Sequence, residues 1–395
     1  MGRHNAFTFP YTFFREPASK VISELQEVGF TGINLALNYH ASRDFLLRQG
    51  PELAYLADGF HYYKPDLTCY PSGAITPHHL DSLTDNSALD EVLEVSSANG
   101  FEVNAWAVFM HNSAIGFRHP EVTVTNCFGN HFLSELCPSS PMVGGYISGL
   151  TTDLAARGVA SIAIESLHFH GAHHGEHHER FFLEMGEVAA FLLALCFCQW
   201  CIGNFSGDGK ALQAHVARLL QPFLAEGDPW LELPLTKENL GDIGGLELLD
   251  YLDAREATVA ERYKEVAAIA KRMNITTKFV DQAPLINGSL DKPMEKSWQV
   301  GINNSLINQS VDIYEPLIYR ESPAEVGAVS AHYQKSVRSS ITAILRPTYP
   351  DNRSEESLVD KVGALRETGV SDVDFYLLDA MRPRDLKWIK RAITS

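Results

Sequence analysis

Apolar residues along this chain fall into two alternating patterns. One has helical spacing: Val21, Ile22, Leu25 and Val28 form one stripe, and Leu358, Val359, Val362 and Leu365 form another. The other is a short run, apolar on both faces and ending in polar residues. A recurring punctuation joins them: an amphipathic segment, a glycine, Phe or Val, then an apolar run. It occurs as LQEVGFTGINLAL (Gly29), SSANGFEVNAWAV (Gly100), LAARGVASIAIES (Gly158) and LRETGVSDVDFYLL (Gly369). Glycine just past a helix end takes up left-handed backbone without a Cβ clash. In AKRMNITTKFV, Asn274 takes that place, asparagine being the next-best residue for it.

The apolar runs predict strands at AFTFPYTFF, GINLALNYH, EVNAWAVFMHN, SIAIES, TTKFVDQ, VDIYEPLIY, ITAILRPTY and VDFYLLDAM. Strands apolar on both faces and alternating with helices indicate a parallel sheet covered on both sides. Eight such units predict an α/β fold, a (β/α)8 TIM-type barrel. A doubly wound sheet is disfavoured because no glycine-rich phosphate turn follows the first strand. Two excursions interrupt the repeat, at about 41–90 after strand two and about 166–255 after strand four. The first is rich in aromatics, Pro and Gly and predicts a hairpin or an irregular lid. The second contains an amphipathic helix around KALQAHVARLLQPFL. No linker separates a second unit, so residues 1–395 are expected to form a single barrel domain carrying these insertions.

Composition narrows the function. The chain has 395 residues, 45% hydrophobic and 21% charged, as in an ordinary globular protein. The longest apolar stretch, VAAFLLALCFC at 188–198, is shorter than the roughly 18 residues that span a membrane and is expected to be a buried helix. The N-terminus shows no signal-peptide pattern, which predicts a cytoplasmic location. A formal charge of −17 and the absence of a dense Lys/Arg patch argue against a nucleic-acid partner. Six cysteines are too few for a disulfide scaffold in so long a chain and are expected to be mostly free thiols.

In a barrel of this type the chemistry collects where strands end. Those ends supply His40, His111, Asn112, Glu165, Asp281, Glu315, Arg346, Tyr349 and Asp379. An acid closing an apolar strand is costly to desolvate unless it is solvated, paired or used. Three do so: Glu165 in AIES, Asp281 in FVDQ and Glu315 in YEPLIY. Trp106, Tyr314, Tyr319 and Tyr349 lie among them in the sequence. Paired carboxylates with aromatic platforms suit glycosidic-bond cleavage, one acid protonating the leaving oxygen while the other attacks or activates water.

The segment LCPSSPMVGGYISGLTTDLAARGVASIAIESLHFHGAHHGEHHER, followed by LLALCFCQWC, resembles a group of barrel-type glycoside hydrolase-like proteins. In these a CP..P segment follows strand three, an acid closes strand four, and a C-aromatic-C-x-x-C motif opens the next helix. The resemblance covers about residues 100–205. It implies that Glu165 stands where barrel glycosidases commonly place a catalytic carboxylate. The commonest retaining pattern has Asn before that acid and a Glu ending strand seven. Here Ile164 precedes Glu165, and strand seven ends LRPTYPD. The second acid is therefore expected elsewhere, at Glu315 or else Asp281.

Directly after Glu165 come His168, His170, His173, His174, His177 and His178. Imidazoles suit zinc, but HHGEHHE lacks the spacing of the HExxH helix motif. His168 and His170, nearest the strand end, are expected to bond sugar hydroxyls and tune the carboxylate. Cys198 and Cys201, with Cys196 alongside, offer half of a structural zinc site whose remainder would come from Cys127, Cys137 or the histidines. Their other role is small-thiol packing at a buried helix start, and no cofactor is expected for the reaction. The expectation is a glycosidase acting on a small carbohydrate or glycoside, without nucleic-acid or membrane partners. The catalytic acids would be Glu165 with Glu315 or Asp281. His40, His111, Asn112, His168, His170, Arg346, Tyr349 and Asp379 would contact substrate. The alternatives are a metal-dependent sugar isomerase or epimerase of the same fold, or a non-catalytic carbohydrate-binding barrel.

Overall fold

The computed structural model describes residues 2–48, 50–79, 87–173, 179–287 and 289–395. Eight parallel strands form the barrel: β1 (Asn5–Thr8), β2 (Gly32–Asn38), β3 (Glu102–Val108), β4 (Ser161–Glu165), β5 (Thr276–Asp281), β6 (Ile313–Pro316), β7 (Ser340–Leu345) and β8 (Asp372–Phe375). It is closed, because β1 pairs with β2 (Ala6 opposite Ile33) and with β8 (Ala6 opposite Phe375). The outer layer is α1 (Ala18–Val28), α2 (Ser87–Ala98), α3 (Pro141–Ala156), α4 (Lys237–Arg272), α5 (Asn304–Ile307), α6 (Pro323–Ser336), α7 (Glu355–Glu367) and α8 (Pro383–Thr394). Val21, Ile22, Leu25 and Val28 of α1 are buried, as their stripe predicts, and so are Leu358, Val362 and Leu365 of α7. Gly29, Gly100, Gly158, Gly369 and Asn274 all have positive φ, so the punctuation marks the helix ends physically.

Two boundaries differ from the sequence expectation, while the contents of the two excursions agree with it. The first strand stops at Thr8, since Pro10 has no amide hydrogen to extend a ladder and instead opens a short helix, Tyr11–Arg15. The apolar stretch 188–198 is helical only within Glu187–Ala194, after which the chain straightens at Leu195 and a six-residue helix, Gln199–Asn204, begins after Cys198. The strand-two excursion contains a hairpin, Ser42–Leu46 with Glu52–Leu56, and the strand-four excursion a long helix, Gly209–Glu226.

Alternation along each strand decides what lies inside the barrel. The lower interior is polar. Asn5 and Asn34 donate to Asp374, at 2.9 and 2.7 Å. The Lys278 ammonium lies 2.8 Å from Glu315 and 3.6 Å from Asp374. Above this layer sits an apolar one containing Phe7, Ala36, Trp106, Ala163, Val280 and Ile344. Above that is the mouth.

Candidate active site at the barrel mouth

Glu165 shares its face of β4 with Ala163, so it points inward and upward into the mouth. The Trp106 indole N–H donates to its Oε2, and Gln282 Nε2 donates to Oε1 at 3.3 Å. Burial pushes this carboxyl above the usual carboxylate range; the charge of nearby His40 and then the two hydrogen bonds pull the other way. The result is an acid held in a mainly apolar setting but close to open space, only 8% exposed.

Aromatic rings surround it. Trp106 meets Tyr39 at 4.7 Å, Phe9 at 5.3 Å and Tyr376 at 5.9 Å between ring centroids. Tyr319 lies 6.1 Å from Tyr376, and the Arg346 guanidinium covers its ring at 4.3 Å. Arg346 is also 3.4 Å from Asp351. Imidazoles form a row on another side: His40 lies 3.9 Å from the Tyr39 ring, His111 5.3 Å from His40, His170 6.0 Å from His111, and His168 4.9 Å from His170. Burial pushes His111 and His168 down to about 4, so both are neutral near pH 7. His168 Nδ1 donates to the Phe169 carbonyl at 2.7 Å, which leaves Nε2 as its acceptor face. His170 Nε2 meets Ser166 Oγ at 2.5 Å. His174, His177 and His178 lie outside the described residues. His173 is exposed and pairs with Glu179 at 3.2 Å.

The other strand-end residues are placed differently. Asp281 is out of phase with Lys278 and Val280, which face the interior, so it points to the helix layer. There its Oδ2 accepts the Tyr333 hydroxyl of α6 at 2.6 Å and its Oδ1 the Ala283 amide at 2.9 Å. Glu315 faces inward but lies deep, fully buried against Lys278. Burial pushes it up to about 7, with Lys278 opposing and Asp374 reinforcing the shift. Asp379 accepts from the Phe9 amide (2.8 Å), Thr12 Oγ1 (2.9 Å) and Thr8 Oγ1 (3.1 Å), fastening the end of β1. Asn112 caps a turn through the Ile115 amide at 2.8 Å and reaches the Gly59 carbonyl at 3.2 Å. Tyr349 is 69% exposed beside Arg353, away from the ring cluster. Tyr314 turns outward toward Phe279 and Tyr333. Sequence inspection missed Tyr39, Tyr376 and Gln282. Gln282 was findable, because the residues facing the interior alternate from Lys278 through Val280 to Gln282.

Behind the mouth a third excursion, the connection 109–140 that follows β3, meets the strand-four excursion and brings together Cys137, Cys196, Cys198 and Cys201, all buried, with sulfurs within 4.8 Å of one another. Cys137 Sγ is 3.4 Å from Cys201, 3.6 Å from Cys198 and 3.7 Å from Cys196. A tetrahedron with Zn–S bonds of about 2.3 Å has edges of about 3.8 Å, so four thiols at these spacings fit one zinc ion. Backbone amides already point at the sulfurs, Thr125 N to Cys196 at 3.4 Å and Cys201 N to Cys198 at 3.5 Å. Burial pushes Cys137 up, whereas hydrogen bonds from Cys137, Cys196 and Cys201 hold Cys198 well down. Among the described residues no comparable group of His, Asp and Glu gathers elsewhere.

No family model matches this chain, and no curated protein matches it. Solved structures do. A β-galactosidase from the psychrophilic Marinomonas ef1 superposes with TM-score 0.57 at 10% identity, over 99% of this chain and 59% of that one. The catalytic domain of a Paenibacillus polymyxa β-amylase gives 0.54 at 12% identity, covering 99% and 98%. A class V chitinase from Pseudomonas fluorescens gives 0.51 at 8% identity, covering both chains fully. This chain therefore spans about three-fifths of the β-galactosidase. At such identities the likeness establishes the barrel fold, which these glycoside hydrolases share. No helix among the described residues is long and apolar enough to cross a membrane.

Proposed function

We propose that the mouth binds a carbohydrate and that Glu165 is the proton donor for cleavage of a glycosidic bond. The observation that carries this is Glu165 itself: a carboxyl raised by burial, oriented by Trp106 and Gln282, and ringed by Tyr39, Trp106, Tyr319 and Tyr376. A raised pKa favours the protonated form that a general acid needs, and aromatic faces stack on the apolar side of sugar rings. Neutral His111 and His168, and His40 at the rim, supply hydrogen-bonding groups for hydroxyls. The fold neighbours are glycosidases, which supports a hydrolase at the level of the fold. Assay of Glu165→Gln against a panel of glycosides tests the assignment, loss of turnover with retained folding being the expected outcome.

Carbohydrate binding without cleavage is the second reading. It is supported by the engagement of the two other acids: Asp281 holds α6, and Glu315 is paired with Lys278. Sugar binding with no turnover by the wild-type protein would establish it in place of the first.

The cysteine cluster belongs to the architecture behind the mouth. Its chemistry is that of a structural zinc centre, in which Cys137, Cys196, Cys198 and Cys201 would cross-link the two excursions and no position stays open for catalysis. Elemental analysis of purified protein is expected to give one zinc per chain, lost together with thermal stability on chelation. Stable, metal-free protein would refute this.

A further inference from the structure

Between the segments that follow β4 and β5 lies a cavity of about 360 Å3, within the range of small-ligand sites. Gln282 joins it to the mouth, lining the cavity while donating to Glu165. His168 and His170 form another part of the wall, and Arg255 of α4, Phe191 and Gln299 a third.

Arg255 is unusual in this setting. It is 3% exposed, and among the described residues it has no carboxylate partner. Its terminal nitrogens reach only the Gln299 carbonyl, at 3.5 Å, and its Nε has no acceptor. Phe169 and Phe191 lie against the guanidinium at 4.5 and 5.6 Å. Such rings stabilise the charge but leave the in-plane N–H donors unused. The Gln299 side-chain amide nitrogen is likewise buried without an acceptor. Glu187, at the cavity rim, is occupied by Lys296 (3.3 Å) and the Leu235 amide (3.3 Å). The cavity thus presents surplus donors and one buried cation, in a protein of net charge −17. A fixed cation at contact distance outweighs distant surface charge, which salt screens beyond a Debye length of about 8 Å.

We propose that this cavity receives the oxyanion substituent of an acidic sugar, a carboxylate or a sulfate, held by Arg255 with Gln299. A planar guanidinium matches either group through paired N–H···O bonds. That the scissile bond of the same ligand lies at Glu165 rests on the function proposed above; the anion site does not. Arg255 also lies within electrostatic reach of Cys137, Cys196 and Cys201. The two roles are separable, because filling the cavity from Ala190 leaves the guanidinium in place.

The test is calorimetric titration of the wild-type protein, at low ionic strength, with glucuronate, galacturonate and galactose 6-sulfate against glucose and galactose. An acidic sugar is expected to bind about tenfold or more tightly than its neutral counterpart, and added salt should weaken it. Whether uronates or the sulfate bind identifies the anion. Ala190→Phe and Arg255→Met are each expected to abolish the preference. Metal content and melting temperature are measured on both variants, and if Arg255→Met fails to fold, Ala190→Phe decides. Equal binding of acidic and neutral sugars, or a preference that survives Ala190→Phe, overturns the proposal. These titrations need no turnover. Uronate binding by a protein that cleaves no glycoside of a uronate or of a neutral sugar would therefore sink Glu165 as proton donor and not the anion site, and glycoside hydrolysis without acid preference would do the reverse.

Discussion

Glu165→Gln is the most informative single change at the mouth. Glutamine has the shape of glutamate, and its carbonyl still accepts the Trp106 indole N–H. Gln282 can turn its own carbonyl toward the new amide, so the local packing survives. What is lost is the proton. General acid catalysis contributes about 10²- to 10⁴-fold, which at 1.36 kcal/mol per tenfold is roughly 3–5 kcal/mol of barrier. The loss should depend on the leaving group. Nitrophenolate departs without protonation, so nitrophenyl glycosides should lose far less than alkyl glycosides or disaccharides. Stability should move oppositely. The folded-state pKa of Glu165 is raised, so the folded protein binds the proton more tightly than the unfolded chain does. Wild-type stability therefore falls as pH rises from about 4.3, the ordinary glutamate value, through the folded-state pKa. The variant has no such penalty, so its melting temperature should gain on wild type as the pH is raised above about 4.3. Equal kinetic losses on activated and unactivated glycosides, or wild-type turnover, would refute the assignment. A melting difference independent of pH would refute the account of the buried carboxyl.

Other expectations follow from neighbouring contacts. Tyr333→Phe removes the donor from buried Asp281 Oδ2 and should cost about 1.5–3 kcal/mol in denaturant unfolding, with little change in sugar binding. Lys278→Met leaves Glu315 and Asp374 without their cation and should destabilise by about 3–5 kcal/mol at neutral pH. That cost should shrink toward pH 5, because Glu315, pushed up to about 7, is protonated there. A pH-independent loss would contradict the ion network. Cys201→Ser should release zinc to a colorimetric chelator at lower denaturant concentration than wild type, while Cys69→Ser, outside the cluster, should not.

Much of the barrel was legible in the chain, because the strands are buried on both faces and five of the eight barrel helices, α1, α2, α3, α4 and α7, are followed by a Gly or Asn at positive φ. Those are local constraints, and local patterns report them. Glu165 was legible for the same reason: it closes a strand whose interior positions alternate cleanly, Ser161, Ala163 and then the acid. Asp281 and Glu315 show where local pattern runs out. Both end apolar runs, yet a single step of phase turns Asp281 outward to Tyr333, and depth in the barrel commits Glu315 to Lys278, a residue 37 positions away in the chain. Phase can be counted along a strand, but depth depends on how neighbouring strands are staggered, which no single segment encodes. The cysteines divide likewise. Cys196, Cys198 and Cys201 are adjacent in sequence, but only the folded excursion of strand three brings Cys137 onto them. The chain by itself determined the barrel and the place of Glu165 at the inward-facing end of β4, because those follow from spacing of two and of 3.6 residues. Tertiary structure alone decided which polar groups meet, because a contact between distant segments is set by the packing of everything between them.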